Sequence, residues 1–230
     1  MNLGTIRTNV ASVLGMKNAV AGDQTLIDQW ANEAVTDILL QTDIYVKCAD
    51  MTLTVDEADY DLAASIFKIR YAYLDPVTGD NRLMEHRSPM EILDYRIGTA
   101  NNSGQPYLYA LQGANMFMVY PTPNAADLVH VYYVPKPTAL AAAGDDPSGA
   151  TLGGIPTQYH DLIVDYALWR AADFEEGQGA HDPEKYAQRY LMGIKDIMRD
   201  LNRKGGVRAA PAIRARTRAR GLSFNDVYPR

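Results

Sequence analysis

"IPTQYHDLIVDYALWRAADFE", residues 155–175, is the stretch from which the rest of the chain can be read. Ile155, Tyr159, Leu162, Ile163, Tyr166 and Arg170 recur three and four apart and trace one face of a helix, with Leu168 and Trp169 beside it. A helix with a single apolar stripe needs partners to cover it. One lies just downstream, beyond the break "GQGAHDP", where Asp182 reads as a cap and Pro183 as the first helical residue. Tyr186, Tyr190, Leu191, Ile194, Ile197, Met198 and Leu201 then repeat the helical spacing until Gly205 and Gly206 end it. Two more partners lie at the start of the chain. Leu3, Ile6, Val10, Val13 and Leu14 form one stripe. After the turn-rich "NAVAGD", Leu26, Ile27, Trp30, Ala34, Val35, Ile38 and Leu39 form another, with Asp23 or Thr25 as its expected cap.

Between these helical ends the period changes to two. "MTLTV", "FKIRYAYL", "NRLMEH", "PYLYALQ", "MFMVYP" and "DLVHVYYV" read as strands, the last stopped by "PKP". Gly113 to Asn115 reads as a hairpin turn, and "SPMEILDYR" as a short helix with Ser88 as cap and Pro89 in its first turn. Strands in a run joined by turns imply antiparallel pairing. The expected fold is therefore α+β: a four-helix bundle body with an inserted antiparallel β domain and an extended C-terminal tail. The expected divisions are 1–45 and 155–203 for the helical body, 46–136 for the β domain, 137–154 for a linker and 204–230 for the tail.

Composition restricts the functional classes. The 47% apolar and 22% charged fractions are those of an ordinary globular protein. No apolar run approaches the ~20 residues that span a bilayer, and no export signal opens the chain, so no membrane partner is expected. Cys48 stands alone, which rules out an internal disulfide and fits a reducing compartment. Neither a nucleophile elbow, a phosphate-binding loop nor a dinucleotide fingerprint is present. His130 alternates with Val129 and Val131 and is expected to face solvent or a neighbour. His160 lacks metalloprotease spacing to any second ligand, so it reads as a surface or packing residue, and His181 as part of a helix start. Fifteen tyrosines against four phenylalanines suit wet sheet faces and interfaces. No enzyme, metal site or cofactor emerges.

Charge is unevenly placed. From Arg203 to Arg230, eight basic residues face Asp226 alone, a net +7; the whole chain carries −6, so residues 1–202 carry −13. Arg214, Arg216, Arg218 and Arg220 are spaced by two, which puts their guanidiniums on one side of an extended chain. Residues 204–230 reach about 90 Å when extended. Arg208 joins this strip, and Leu222, Phe224 and Tyr228 follow it as possible apolar anchors. Such an arm either neutralises phosphates or docks on a protein, with arginines against carboxylates and the apolar end in pockets.

Taken together, the chain resembles the head-to-tail adaptor (connector) proteins of tailed bacteriophages. The resemblance rests on residues 155–175, where Ile155-Pro156, Tyr159-His160, Tyr166 and Arg170 match the opening of that family's third helix. "LIDQWANEAVTDIL", "YDLAASIFKIRYAYL" with "SPMEILDYR", and "KYAQRYLMGIKDIMRDL" match its other elements in order. The resemblance implies a structural virion protein without catalytic activity or cofactor. It implies a ring, generally of twelve copies, beneath the portal protein, with a C-terminal segment that grips the portal. It further implies a downstream neck or tail protein on the other face and DNA passing through the channel without sequence-specific contacts. The alternatives are another neck or tail-tube component, such as a stopper, and a nucleic-acid-binding protein that uses its arginine-rich tail.

Overall fold

Asn2 sets the first helix by leaving the helical region and accepting the Thr5 amide at 2.9 Å, which satisfies one of the free N–H groups of α1 (Leu3–Val13). In the computed structural model, residues 1–15, 21–98, 103–113, 115–174 and 182–205 are described. Helix α2 (Ala21–Thr42) starts ahead of Asp23 and Thr25, so neither is the cap that the sequence suggested. A Cβ at Gly22 would meet nothing within 4 Å, so this exposed glycine costs the helix only chain entropy and does not stop it. Asp23 instead lies in the first turn, where its charge meets the positive end of the helix.

The strands lie between α2 and the later helices. They are β1 (Lys47–Thr52), β2 (Asp59–Asp61), β3 (Ile66–Asp75), β4 (Arg82–Leu83) and β5 (Glu85–His86), then helix α3 (Pro89–Gly98), then β6 (Ser103–Gly104), β7 (Leu108–Gln112), β8 (Met116–Tyr120), β9 (Thr122–Pro123) and β10 (Leu128–Pro135). One sheet runs β1-β10-β3-β4, a second β2-β8-β7-β5, and β6 pairs with β9. The fold is thus α+β, but pairing is not antiparallel throughout: β5–β7 and β6–β9 are parallel. In the first case α3 carries the chain back across the sheet between the two strands, the crossover that a parallel neighbour requires.

Alternation decides the layering. Met51, Ala72, Leu74, Val129 and Val131 of the first sheet meet Tyr109, Phe117 and Val119 of the second in one core. Residues on the other face of the second sheet, Leu108, Ala110, Met118 and Tyr120, pack on Ile92 of α3. The α3 start is a capping box: the Glu91 amide donates to Ser88 Oγ at 3.2 Å, and the Ser88 amide donates to Glu91 Oε2 at 2.9 Å. Ser88→Ala is expected to cost about 1 kcal/mol, read as a fall of a few degrees in the thermal midpoint; no change would show that α3 is held by Ile92 alone.

The chain returns to helix through a 3-10 turn (Thr157–Tyr159) into α4 (Asp161–Phe174) and then α5 (Pro183–Gly205), where the Glu184 amide donates to Asp182 Oδ1 at 3.0 Å. Helix α1 packs on α2 and α4, and α4 on α2 and α5. Their stripes meet in one core that includes Ile6, Val10, Ile38, Ile163, Ala167, Tyr190 and Ile197. Helices alone do not make this core, because Val134 of β10 and Leu140 belong to it.

Residues 137–154 have no regular structure but are tied at both sides. Asn32 Oδ1 accepts the Leu140 amide at 2.7 Å, and the amides of Leu3 and Gly4 donate to the carbonyls of Asp145 and Ala143 at 2.8 and 2.9 Å. Gly154, with φ +65°, ends the segment against the face of the Tyr45 ring. Asp43, just past α2, accepts from Lys68 at 3.2 Å and from Arg70 at 2.6 Å, bracing β3 against the helices.

Candidate functional site

The six residues singled out in the 155–175 stretch lie at the joints between helices. Ile155 is fully buried, while Pro156 is exposed and introduces the 3-10 turn with φ −56°. The His160 side chain is fully buried, Nε2–H donating to the Ile155 carbonyl at 2.8 Å and Nδ1 accepting from the Met1 ammonium at 2.9 Å. It is a packing residue. The Tyr159 hydroxyl donates to Asp200 Oδ2 on α5 at 2.8 Å, and burial and this acidic partner raise its pKa. Tyr166 stands edge-on to Trp169 and Tyr190, with ring centroids 5.6 and 5.1 Å away. Arg170 reaches Glu33 of α2 at 3.6 Å.

Two more contacts complete this set, and neither was singled out from sequence. The Tyr190 hydroxyl donates to Asp37 Oδ2, joining α5 to α2, and burial together with that carboxylate drives the tyrosine pKa far upward. Asp165 of α4 is buried beside Arg189 of α5 at 3.1 Å; burial raises its pKa and Arg189 opposes the rise. Spacing on one helix shows which side is apolar but not which carboxylate on another helix it meets. The arrangement fixes the start of α4 and clamps α5, the element from which the basic tail departs.

An open groove of ≈ 580 Å³ runs along α2, lined by Gln29, Asn32, Glu33, Thr36, Asp37, Leu40 and Tyr166. Its carboxylates are engaged, Glu33 by Gln29 at 3.0 Å and Asp37 by Gln41 at 2.6 Å and by Tyr190. A nucleophile paired with a base is not found among these lining residues. The surface does offer apolar contact area. On α5, Leu191 and Met198 lie seven residues apart, on one outward face, with Met192 beside Leu191. On α3, Met90 and Ile97 are 67% and 85% exposed, far beyond what a lone surface residue needs for packing.

His130, expected to face solvent or a neighbour, is half-buried with Nδ1 2.6 Å from Asp50 Oδ1. Arg208, Arg214, Arg216, Arg218, Arg220, Leu222, Phe224 and Tyr228 lie outside the described residues, as does His181. No helix among the described residues is long and apolar enough to cross a membrane.

No curated protein sequence matches the chain. Among solved structures, a chain of the "Neck of empty GTA particle computed with C6 symmetry" is similar at 12% identity and a TM-score of 0.27, covering 81% of this chain and 90% of that one. Over residues 1–218 the sequence matches the model of the SU10 adaptor protein family. The match runs through both helical ends, the strands and most of the arginine strip, and so takes in every stretch on which the head-to-tail adaptor resemblance rests. The chain therefore belongs to the SU10 adaptor protein family of structural phage adaptors.

Proposed function

We propose that the protein is a head-to-tail adaptor that assembles as a ring beneath the portal, lines the DNA channel and links the capsid to the neck and tail of the virion. The observation that carries this reading is the division of charge, −13 in residues 1–202 and +7 from Arg203 onward, at the end of a helix clamped to α2 and α4. An acidic body repels DNA phosphates, so a ring of such bodies lets DNA slide without gripping it. In this reading 1–45 and 155–203 form the body, 46–136 the β domain, 137–154 the linker and 204–230 the arm. The exposed apolar residues of α3 and α5 supply contacts to neighbouring copies or to the next neck protein.

The arm docks on an acidic portal surface. An exposed ion pair contributes only about 0.2–1 kcal/mol. Several arginines per copy, repeated around a ring, add up through multivalency. Leu222, Phe224 and Tyr228 set the register by filling pockets. Particles assemble in the host cytoplasm. The test is co-sedimentation with purified portal rings, comparing the full chain with one ending at Arg203, which keeps the core residues of α5 through Leu201. Binding by the full chain alone, weakened by salt, is expected. Equal binding by both would move the portal contact onto the body and leave the tail to DNA or another neck protein.

A further inference from the structure

The face of the first sheet that points away from the core carries a cluster that the adaptor function does not use. Antiparallel register places Cys48 opposite Tyr132 and Asp50 opposite His130, and because side chains alternate, Cys48, Asp50 and His130 share one face. A sulfur, a carboxylate oxygen and an imidazole nitrogen from these three residues all lie within 4.8 Å of one another. Cys48 Sγ is 3.7 Å from Asp50 Oδ1, and His130 Nδ1 is 2.6 Å from the same oxygen.

These separations can be set against a tetrahedral zinc ion. Zinc bond lengths of about 2.0–2.3 Å give a sulfur–oxygen edge of about 3.6 Å and a nitrogen–oxygen edge of about 3.4 Å. The first already fits. The second requires His130 and Asp50 to part by under 1 Å, within the reach of a side-chain rotation on an exposed carboxylate. The surroundings have the form that zinc ligands take. His130 Nε2 lies 3.7 Å from Asp75 Oδ2, a gap that a small side-chain shift closes to the carboxylate–imidazole contact by which ligating histidines are oriented. Tyr132, opposite Cys48 in the strand register, is stacked on Tyr71, with centroids 4.5 Å apart. Thiolate and imidazole together favour zinc over the hard cations calcium and magnesium.

We propose that Cys48 Sγ, an Asp50 carboxylate oxygen and His130 Nδ1 bind one zinc ion, with water in the fourth position and Asp75 behind the imidazole. The Cys48 S–H bond breaks as the zinc–sulfur bond forms, and the proton leaves to solvent; the His130 ring hydrogen, held on Nδ1 toward Asp50, exchanges to Nε2 on the Asp75 side, so that Nδ1 offers its lone pair to the ion. Binding is therefore coupled to loss of the thiol proton and tightens as pH rises. The site staples β1, the outermost strand of its sheet, to β10.

The experiment uses the untagged full chain, stripped with chelator and titrated with cobalt(II) and then zinc(II). One cobalt per chain is expected, with a thiolate-to-cobalt charge-transfer band that zinc removes. Cys48→Ser should abolish the band and His130→Ala should weaken binding at least tenfold. Asp75→Asn should weaken it about 10- to 100-fold through the imidazole. All three variants should melt with wild type in the absence of metal, since Cys48, Asp50 and Asp75 are exposed and His130 is half-buried. The absence of a band, or affinity unchanged in Cys48→Ser and His130→Ala, would overturn the site.

Discussion

Replacing His160 with alanine is expected to lower the unfolding free energy by about 4 kcal/mol. The ring is fully enclosed, so truncation leaves a cavity of nearly the whole imidazole; losing a buried aromatic ring costs about 3–5 kcal/mol in other cores. The Ile155 carbonyl also loses its donor, at a cost of about 1–3 kcal/mol when a buried group is left without a partner, partly offset if water enters the space. For a chain of this length the sum corresponds to a fall on the order of 10 °C in the thermal midpoint. His160→Gln separates the two contributions, because its amide can still donate toward Ile155 while filling part of the space; about half the loss is expected. A His160→Ala protein that melts within about 3 °C of wild type would show that the joint between the 3-10 turn and α4 is held by Tyr159 and the core alone.

Gly154→Ala should be nearly as damaging, for a different reason. The residue has φ +65°, a conformation that costs an L-residue about 1–2 kcal/mol. An added Cβ would also lie 2.5 Å from Tyr45 Cγ and under 3.0 Å from both Cδ atoms, so the ring must move. Tyr45 packs against the helical core, and overpacking of that kind costs about 1–3 kcal/mol. The expected total is about 2–5 kcal/mol. Gly113→Ala is the control: φ is also +65°, but nothing lies within 4 Å of the added atom, so only the backbone cost should appear. Urea midpoints of the two variants measure the steric part by difference. Equal shifts would mean that Tyr45 yields without cost.

Both positions show what the sequence makes legible. The helices α1, α4 and α5 and the strands β3, β7, β8 and β10 follow from spacing, because their core-facing residues repeat at 3.6 or 2 and little else decides their state. Ser88 followed by Glu91 is a local signal with a local geometry. Helix α2 starts ahead of its expected caps because Gly22, at its exposed start, costs only chain entropy and has no left-handed conformation to end the turn. "NRLMEH" reads as one strand but splits at Met84 into β4 and β5, which join different sheets, and no pattern within six residues could show that. The parallel pairs were equally hidden, since β5–β7 depends on how α3 crosses and β6–β9 on how the intervening β7 and β8 return. Residues 155–175 were recognisable as a unit, yet Tyr159, His160 and Arg170 reach Asp200, the Met1 ammonium and Glu33, on three other parts of the chain. The Cys48, Asp50 and His130 cluster went unread for the same reason: 80 residues separate Asp50 from His130, and only strand register brings them together.

The junction between helices and strands has a mechanical consequence. β1 leaves the helical core and β10 returns to it as hydrogen-bonded neighbours, paired from Lys47 with Tyr133 to Thr52 with Leu128. Neither crossing can twist without its partner, and Asp43 holds Lys68 and Arg70 of β3 at the same base. The strand region is thus mounted on three braced points and not on a swivel. A load applied to the far loops therefore reaches α2 through all three points at once and not through a single strand.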